Sequence, residues 1–413
     1  MKFGILSLFW AGIMCTFLSA QEITFTPNDS QTVIQNAINA NPPYKKVVFS
    51  PGVYTKLNYI TITPERVSLV TAYGAKFLFP PNQAKFTRMF NVLWGSINES
   101  PSLIWEGGEF DMNEPLQGRV SYNKEQQAGI FVWGQKAGTL NVTIKDVTIR
   151  NSAGDGINIY QNTNAKLDNL KFKDCFRSGL TISGGGNKIT ADKIDSEAGR
   201  FRTGLRIEPS SVNDRAIPAY YNISKFTGSY LNLQLGKDSA AIFSESVLSP
   251  INPFSTTEEM QGYVFNDQGR VVFDNCMFDL NRKFQIRLCG NTTFNDCSFR
   301  MSQYDEVDKF DYRFILECWW YWAGTKAGND NQVLALDNCH FTMNDNVPIS
   351  TAAYPIRTYS TNPYGVEDNY ILLTNTKFDV KHWSGIVVLH KSALSSRTVV
   401  IKRNCLLGKE DYQ

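Results

Sequence analysis

The chain has 413 residues, 41 Lys or Arg against 39 Asp or Glu, and a formal net charge of +2. So even a balance gives no global field to attract nucleic acid or an anionic membrane surface. Its 27 Phe, 18 Tyr and 29 Gly, with many Asn and Thr and no sustained heptad, favour strands and turns over long helices.

At the N-terminus, Lys2 precedes the apolar run "FGILSLFWAGIMCTFLSA" (3–20), and "QEITF" follows. A short positive region, an apolar core and a small residue at the cut describe a secretory signal peptide, cleaved after Ala20. The mature chain, 21–413, is then expected outside the cytoplasm: secreted, periplasmic or on the cell surface. No later run approaches membrane-spanning length. "NDSQTVIQNAINA" (28–40) reads as a capping helix, with Asp29 or Ser30 as N-cap and Val33, Ile34, Ala37 and Ile38 on one face. "KKVVFSPGVY" (45–54) supplies a first coil.

From there the chain repeats itself. "AGIFVWG" (128–134), "GDGINIY" (154–160), "SGLTIS" (178–183) and "TGLRIEP" (203–209) are each a glycine followed by alternating apolar and variable residues, the period-two signature of a strand. Second strands lie between them, in "NVTIKDVTIR" (141–150) and "AKLDNLKFKDCF" (165–176). A second phrase recurs as "FKDCF" (172–176), "FDNCMF" (273–278), "FNDCSF" (294–299) and "LDNCHF" (336–341), at multiples of about 21 residues, with "NTKF" (375–378) in the same frame. Periods of this size read as a solenoid of stacked coils, a parallel β-helix whose equivalent positions form columns. Each Asx pair suits a bend, and each cysteine points inward as a small hydrophobe. Removing the leader leaves seven of the 8 cysteines. That odd number, without the short spacings of a zinc site, fits neither a complete disulfide framework nor a metal centre. "RTVVIKRNCLL" (397–407) is the last strand, and no linker divides the chain, so 21–413 reads as one domain.

"TVIQNAINA" followed by "VVFSPGVY" resembles the opening of secreted pectate-lyase-like right-handed β-helix proteins. "GLRIEPSSVNDR" (204–215) resembles a segment of bacterial members of that superfamily, a Gly-Ile-Asp-Ile-Glu-Pro run before an Asp-containing loop; here Arg206 replaces an acidic residue. The resemblance implies an all-β, single-stranded right-handed parallel β-helix with an N-terminal capping helix. It also implies a polysaccharide partner.

Alternation lets the outward columns be read. With Ile157, Leu180 and Leu205 inward, Asn158, Thr181 and Arg206 point out, followed by Tyr160, Ser183 and Glu208. Phe131 and Trp133 extend these columns upstream. Downstream, "AAIFSES" (240–246) aligned on Leu205 puts Phe243 over Arg206 and Glu245 over Glu208, beyond the insertion "PSSVNDRAIPAYY" (209–221). Aromatics stack on sugar faces, so Trp133, Tyr160 and Phe243 are expected to bind substrate. Glu208 with Glu245, one coil apart, fits the carboxyl separation of a retaining glycosidase, and Glu208 with Asp155, two coils apart, that of an inverting one. Arg177, Arg202 and Arg206 cluster near the insertion and suit carboxylate or sulfate groups.

The catalytic candidates are therefore Glu208, Glu245, Asp155 and Arg206, in a glycoside hydrolase for an anionic glycan. The alternatives are a lyase using Arg206 or Arg202 as base, as the resemblance allows, and a non-catalytic glycan-binding solenoid. Three histidines on separated turns argue against a serine-histidine-acid triad. No motif requires a cofactor; structural calcium between turn Asp side chains is the one metal role left open.

Overall fold

The computed structural model describes residues 21–197 apart from 42, 95–99, 119–123, 125 and 135–138. From residue 203 it describes the strands and adjoining turns, but not 209–218, 229–230, 236–239, 251–261, 267–269, 281–283, 289–290, 302–314, 321–332, 344–354, 361–367, 380–386, 391–396, 408–409 or 412–413. The leader (1–20) and Arg202 lie outside the described residues.

The helix Gln31–Ile38 lies where the capping pattern put it, with Ser30 Oγ accepting from the Val33 amide. Asp29 instead accepts from the Thr26 amide at 2.6 Å. The buried face is narrower than expected: Ile34 and Ile38 are buried, whereas Val33 is exposed. Beside the helix, Glu22–Phe25 pairs in parallel with Lys46–Phe49, so the ladder starts one strand before "KKVVF".

The strands stack into two long sheets, one 12-stranded and one 26-stranded. Almost every pairing is parallel; the antiparallel pair Leu406–Leu407 with Glu410–Asp411 ends the ladder. The larger sheet takes two strands from most coils, because the chain bends within it. Leu140–Lys145 and Thr148–Arg150 pair with the two halves of Thr163–Lys173. At that bend Asp146 and Asn169 adopt positive φ, and Asn169 Nδ2 donates to Asp146 Oδ1 at 2.7 Å. Asx residues tolerate this left-handed backbone, which is why they mark the corners.

Inside, identical frames stack at the interval between strands, about 4.8 Å. Phe243, Phe273 and Phe294 form one column, with ring centroids 4.8 and 4.7 Å apart. Phe278, Phe299 and Phe341 form another, at 4.9 and 4.6 Å. Cys276, Cys297, Cys339 and Cys405 are buried thiols, and Cys175 is buried as well. Each thiol of that column has its single S–H within reach of two carbonyls, one two residues back and one in the coil before; for Cys339 these are Asp337 and Phe294. Thr376 repeats the pattern with its hydroxyl, to Thr374 and Leu336, so the slot selects a small donor rather than sulfur chemistry. The intervals need one correction. Asn295 pairs directly with Asp337, so the segment from Cys297 to Cys339 is one enlarged coil, not two.

The repeated glycines have a packing cause. Gly129, Gly156 and Gly179 share one column of the 12-stranded sheet. A Cβ on Gly156 would sit 2.5 Å from the Gly179 carbonyl oxygen and 2.6 Å from the Phe172 ring. Only glycine lets neighbouring coils approach this closely.

Candidate functional site

The 12-stranded sheet carries the columns that matter. Asp155–Tyr160 pairs with Ser178–Ser183, which pairs with Thr203–Glu208. Ile157, Leu180 and Leu205 are fully buried in register, as the alternation requires. On the outer face Arg88, Ala128, Asp155, Ser178 and Thr203 form a first column. Asn91, Phe131, Asn158, Thr181 and Arg206 form a second, and Trp133, Tyr160, Ser183 and Glu208 lie in the third.

One guanidinium joins two of the candidate carboxylates. Arg177 enters from the turn before Ser178–Ser183, with Nη1 2.7 Å from Asp155 Oδ2 and Nη2 bonded to Glu208 Oε1. Arg206 Nη1 holds the other Glu208 oxygen at 3.2 Å. Its remaining N–H groups reach Ser178 Oγ at 3.1 Å and Thr203 Oγ1 at 3.4 Å. Asn158 Nδ2 donates to Asp155 Oδ2 at 3.0 Å. Asp155, Arg177, Glu208 and Arg206 thus form one ion-pair network across three coils.

Depth separates their roles. Asp155 has a side-chain exposure of 1% and Arg177 of 10%, whereas Glu208 and Arg206 reach 18% and 19%. Burial pushes the Asp155 carboxyl above the usual carboxylate range. The Arg177 and Arg206 charges and the Thr181 hydroxyl oppose that shift, and Glu208 adds to it. Neither Asp155 Oδ1 nor Thr181 Oγ1 completes a hydrogen bond of good geometry among the described residues. Asp155 is therefore a buried anchor, and Glu208 with Arg206 presents the polar atoms a ligand can meet.

An aromatic shelf adjoins the network. Phe131 stacks on Tyr160 with centroids 6.5 Å apart, and Trp133 meets Tyr160 edge-on at 6.1 Å. Trp133 is exposed and Phe131 mostly covered. With coils about 4.8 Å apart, Tyr160 lies about 10 Å and Trp133 about 14 Å along the axis from Glu208.

Two expected members stand elsewhere. The strand after Thr203–Glu208 is Leu231–Leu235, which places Asn232 beside Arg206. Ala240–Ser244 belongs to the other sheet, where Phe243 pairs with Tyr221 and Phe273 and is fully buried. Glu245 occupies the positive-φ corner that Asn275 fills one coil later, and Asn222 donates to it at 3.4 Å. "FSES" is thus a copy of the "FDNC" frame, with Ser246 in the cysteine slot. Glu245 cannot form a carboxylate pair with Glu208, and Phe243 cannot stack on a sugar.

Sequence reading also missed Arg88. Its strand, Arg88–Leu93, starts "RMFNVLW", which overlays "AGIFVWG" without a gap, but Met89 in the glycine slot hides the frame. Among the described residues no group of three or more His, Cys, Asp or Glu side chains is placed to hold a metal ion.

Comparison with known proteins agrees with this architecture. Residues 128–305 match the family model for a right handed beta helix region. The chain is similar to a mannuronic acid specific polysaccharide family 6 lyase from human gut microbiota, at 11% identity and a TM-score of 0.54 over 95% of this chain and 89% of that one. It is also similar to the catalytic domain of a GH87 alpha-1,3-glucanase solved with tetrasaccharides, at 12% identity and a TM-score of 0.50 over 92% and 68% of the two chains. No curated protein matches the sequence. Likeness at this identity is likeness of fold, and with the parallel ladders it makes the chain a right-handed parallel β-helix.

Proposed function

We propose that this is an exported enzyme that cleaves an acidic polysaccharide by β-elimination, with Glu208 and Arg206 as the reacting pair. The observation that carries the reading is the Glu208–Arg206 contact, two side chains of similar exposure on the outer sheet face beside an aromatic shelf. A uronate carboxylate entering there competes with Glu208 for the Arg206 fork, which suits bidentate carboxylate binding. Arg206 then neutralises the sugar carboxylate, which makes the adjacent C5 proton more acidic and stabilises the developing anion. Glu208, released from that contact, takes the C5 proton. The C4–O4 bond breaks as the C4–C5 double bond forms, and the departing oxygen receives a proton from Glu208 or water. An arginine base is less suitable here, because a guanidinium bound to a carboxylate is held in its charged form.

Hydrolysis by a carboxylate pair needs two acids open to one glycosidic bond. Within this network Asp155 is buried beneath Arg177, and Glu245 lies in a corner of the other sheet. One of the two similar structures is described as a mannuronic acid specific lyase, which accords with the reading. Trp133 and Tyr160 would stack on sugars upstream of the cut, and the leader read at 1–20 would export the chain to its substrate.

The test is incubation with polymannuronate, polyguluronate and polygalacturonate, following ultraviolet absorbance of unsaturated chain ends alongside a reducing-end assay. Both signals rising together are expected. Reducing ends without absorbance mean hydrolysis, and binding without either signal means a glycan-binding solenoid; each result overturns elimination.

A further inference from the structure

Arg88 is half-buried on the outer face of the 12-stranded sheet. Its guanidinium carbon lies 3.5 Å from the centroid of the Phe131 ring. Among the described residues no group accepts a hydrogen bond from its N–H groups and no carboxylate forms a salt bridge with it. Burial lowers its pKa, with Asp155 and Tyr59 opposing the shift electrostatically. Asp155 shares its column two coils on, but the small Ala128 stands between them and no salt bridge closes the gap. A guanidinium taken partly from water with its fork unused is costly unless something else receives it. The ring fixes its plane through a cation–π contact and leaves the N–H edges for an incoming group.

The surroundings indicate what that group belongs to. Phe131, buried, lies between the guanidinium and Tyr160, which meets the exposed Trp133, so the guanidinium closes one end of an aromatic row whose open part is Tyr160 and Trp133. Tyr59, also exposed, lies near enough to affect the arginine's charge. A planar cation beside aromatic faces fits an acidic sugar, whose ring stacks while its carboxylate takes the fork. Arg88 lies four coils from Glu208, about 19 Å along the axis. One small acid cannot bridge that distance, whereas an extended chain with repeated acidic groups can.

We propose that Arg88 is a second carboxylate-binding subsite, taking one acidic sugar of a polyuronate chain whose other end reaches Glu208 and Arg206. The proposal rests on the acidic-glycan reading of that site and extends it to the length of chain recognised. The site requires a polyuronate rather than a single uronic acid.

The experiment is calorimetric binding of polygalacturonate and of its disaccharide, too short to span the two positions, to the intact wild-type protein and to Arg88→Gln. Loss of a charge-assisted contact predicts that the ratio of polymer to disaccharide affinity falls about tenfold or more. Arg88→Lys, which keeps the charge but not the fork, should fall part of the way and carries the comparison if Arg88→Gln melts much earlier. An unchanged ratio, or an equal loss for both ligands, overturns the proposal, as does a loss seen with a sulfated galactan alone. Polymer binding without release of unsaturated ends removes the eliminative reading and leaves the subsite standing. A wild-type protein that binds no polyuronate overturns both.

Discussion

Replacing Arg177 with methionine removes a side chain that touches both Asp155 and Glu208. Methionine fills much of the same volume without charge. Glu208 keeps Arg206, but Asp155, at 1% exposure, loses its closest cation. Removing one partner of a buried pair costs about 3–5 kcal/mol, because the other charge is left uncompensated. For a chain of 413 residues, with unfolding entropy of about 2.1 cal/mol/K per residue, that loss lowers Tm by about 3–6 °C.

The pH dependence has a definite sign. Burial raises the folded-state pKa of Asp155 above its unfolded value, and Arg177 is the largest influence holding it down. Without Arg177 it rises further, so the folded variant takes up a proton that the unfolded chain does not. A raised carboxyl contributes stability at low pH that is lost as pH rises through the folded-state value. Arg177→Met should therefore be most destabilised at neutral pH and recover relative to wild type in mild acid. Asp155→Asn in the same background should restore most of the loss at neutral pH. Thermal unfolding of the wild type, both single variants and the double variant at neutral and mildly acid pH measures this. A deficit that ignores pH, or a double variant no better than Arg177→Met, refutes the buried-pair reasoning.

Glu208→Gln keeps the shape but removes the base and leaves only one oxygen to accept from Arg177 or Arg206; cleavage should fall at least about 100-fold while the protein still unfolds cooperatively, with a modest loss in Tm. Loss of folding would instead make Glu208 a structural tie. Gly156→Ala places a methyl against the Gly179 carbonyl oxygen and the Phe172 ring, so Tm or soluble yield should drop sharply, and a neutral outcome would contradict the close coil packing. The neighbouring Cys297 thiol and then burial raise the Cys276 pKa, so native protein should react slowly with a thiol reagent. After unfolding without reductant at least the five buried cysteines should titrate, and disulfides among them would contradict the column.

The sequence alone determined the architecture, because a β-helix writes its coils as a repeat. Each coil meets the next at a fixed strand interval, so the slots held by Gly156, Cys276 and Phe273 recur visibly along the chain. It also placed Asp155, Arg177, Arg206 and Glu208 near one another, since coils of similar length keep adjacent columns in simple register. That legibility ended where coil length changed. The insertion after Glu208 let "FSES" be aligned to the wrong sheet, because Phe243 and Glu245 alternate as well for an outer face as for a core and a corner. Only the tertiary structure decided which carboxylate is covered. Alternation gives a side chain's direction but not its depth, and Asp155 is buried with Arg177 and Asn158 bonded to it. It also brought Arg88 onto Phe131, a contact between residues more than 40 positions apart that depends on how two coils stack.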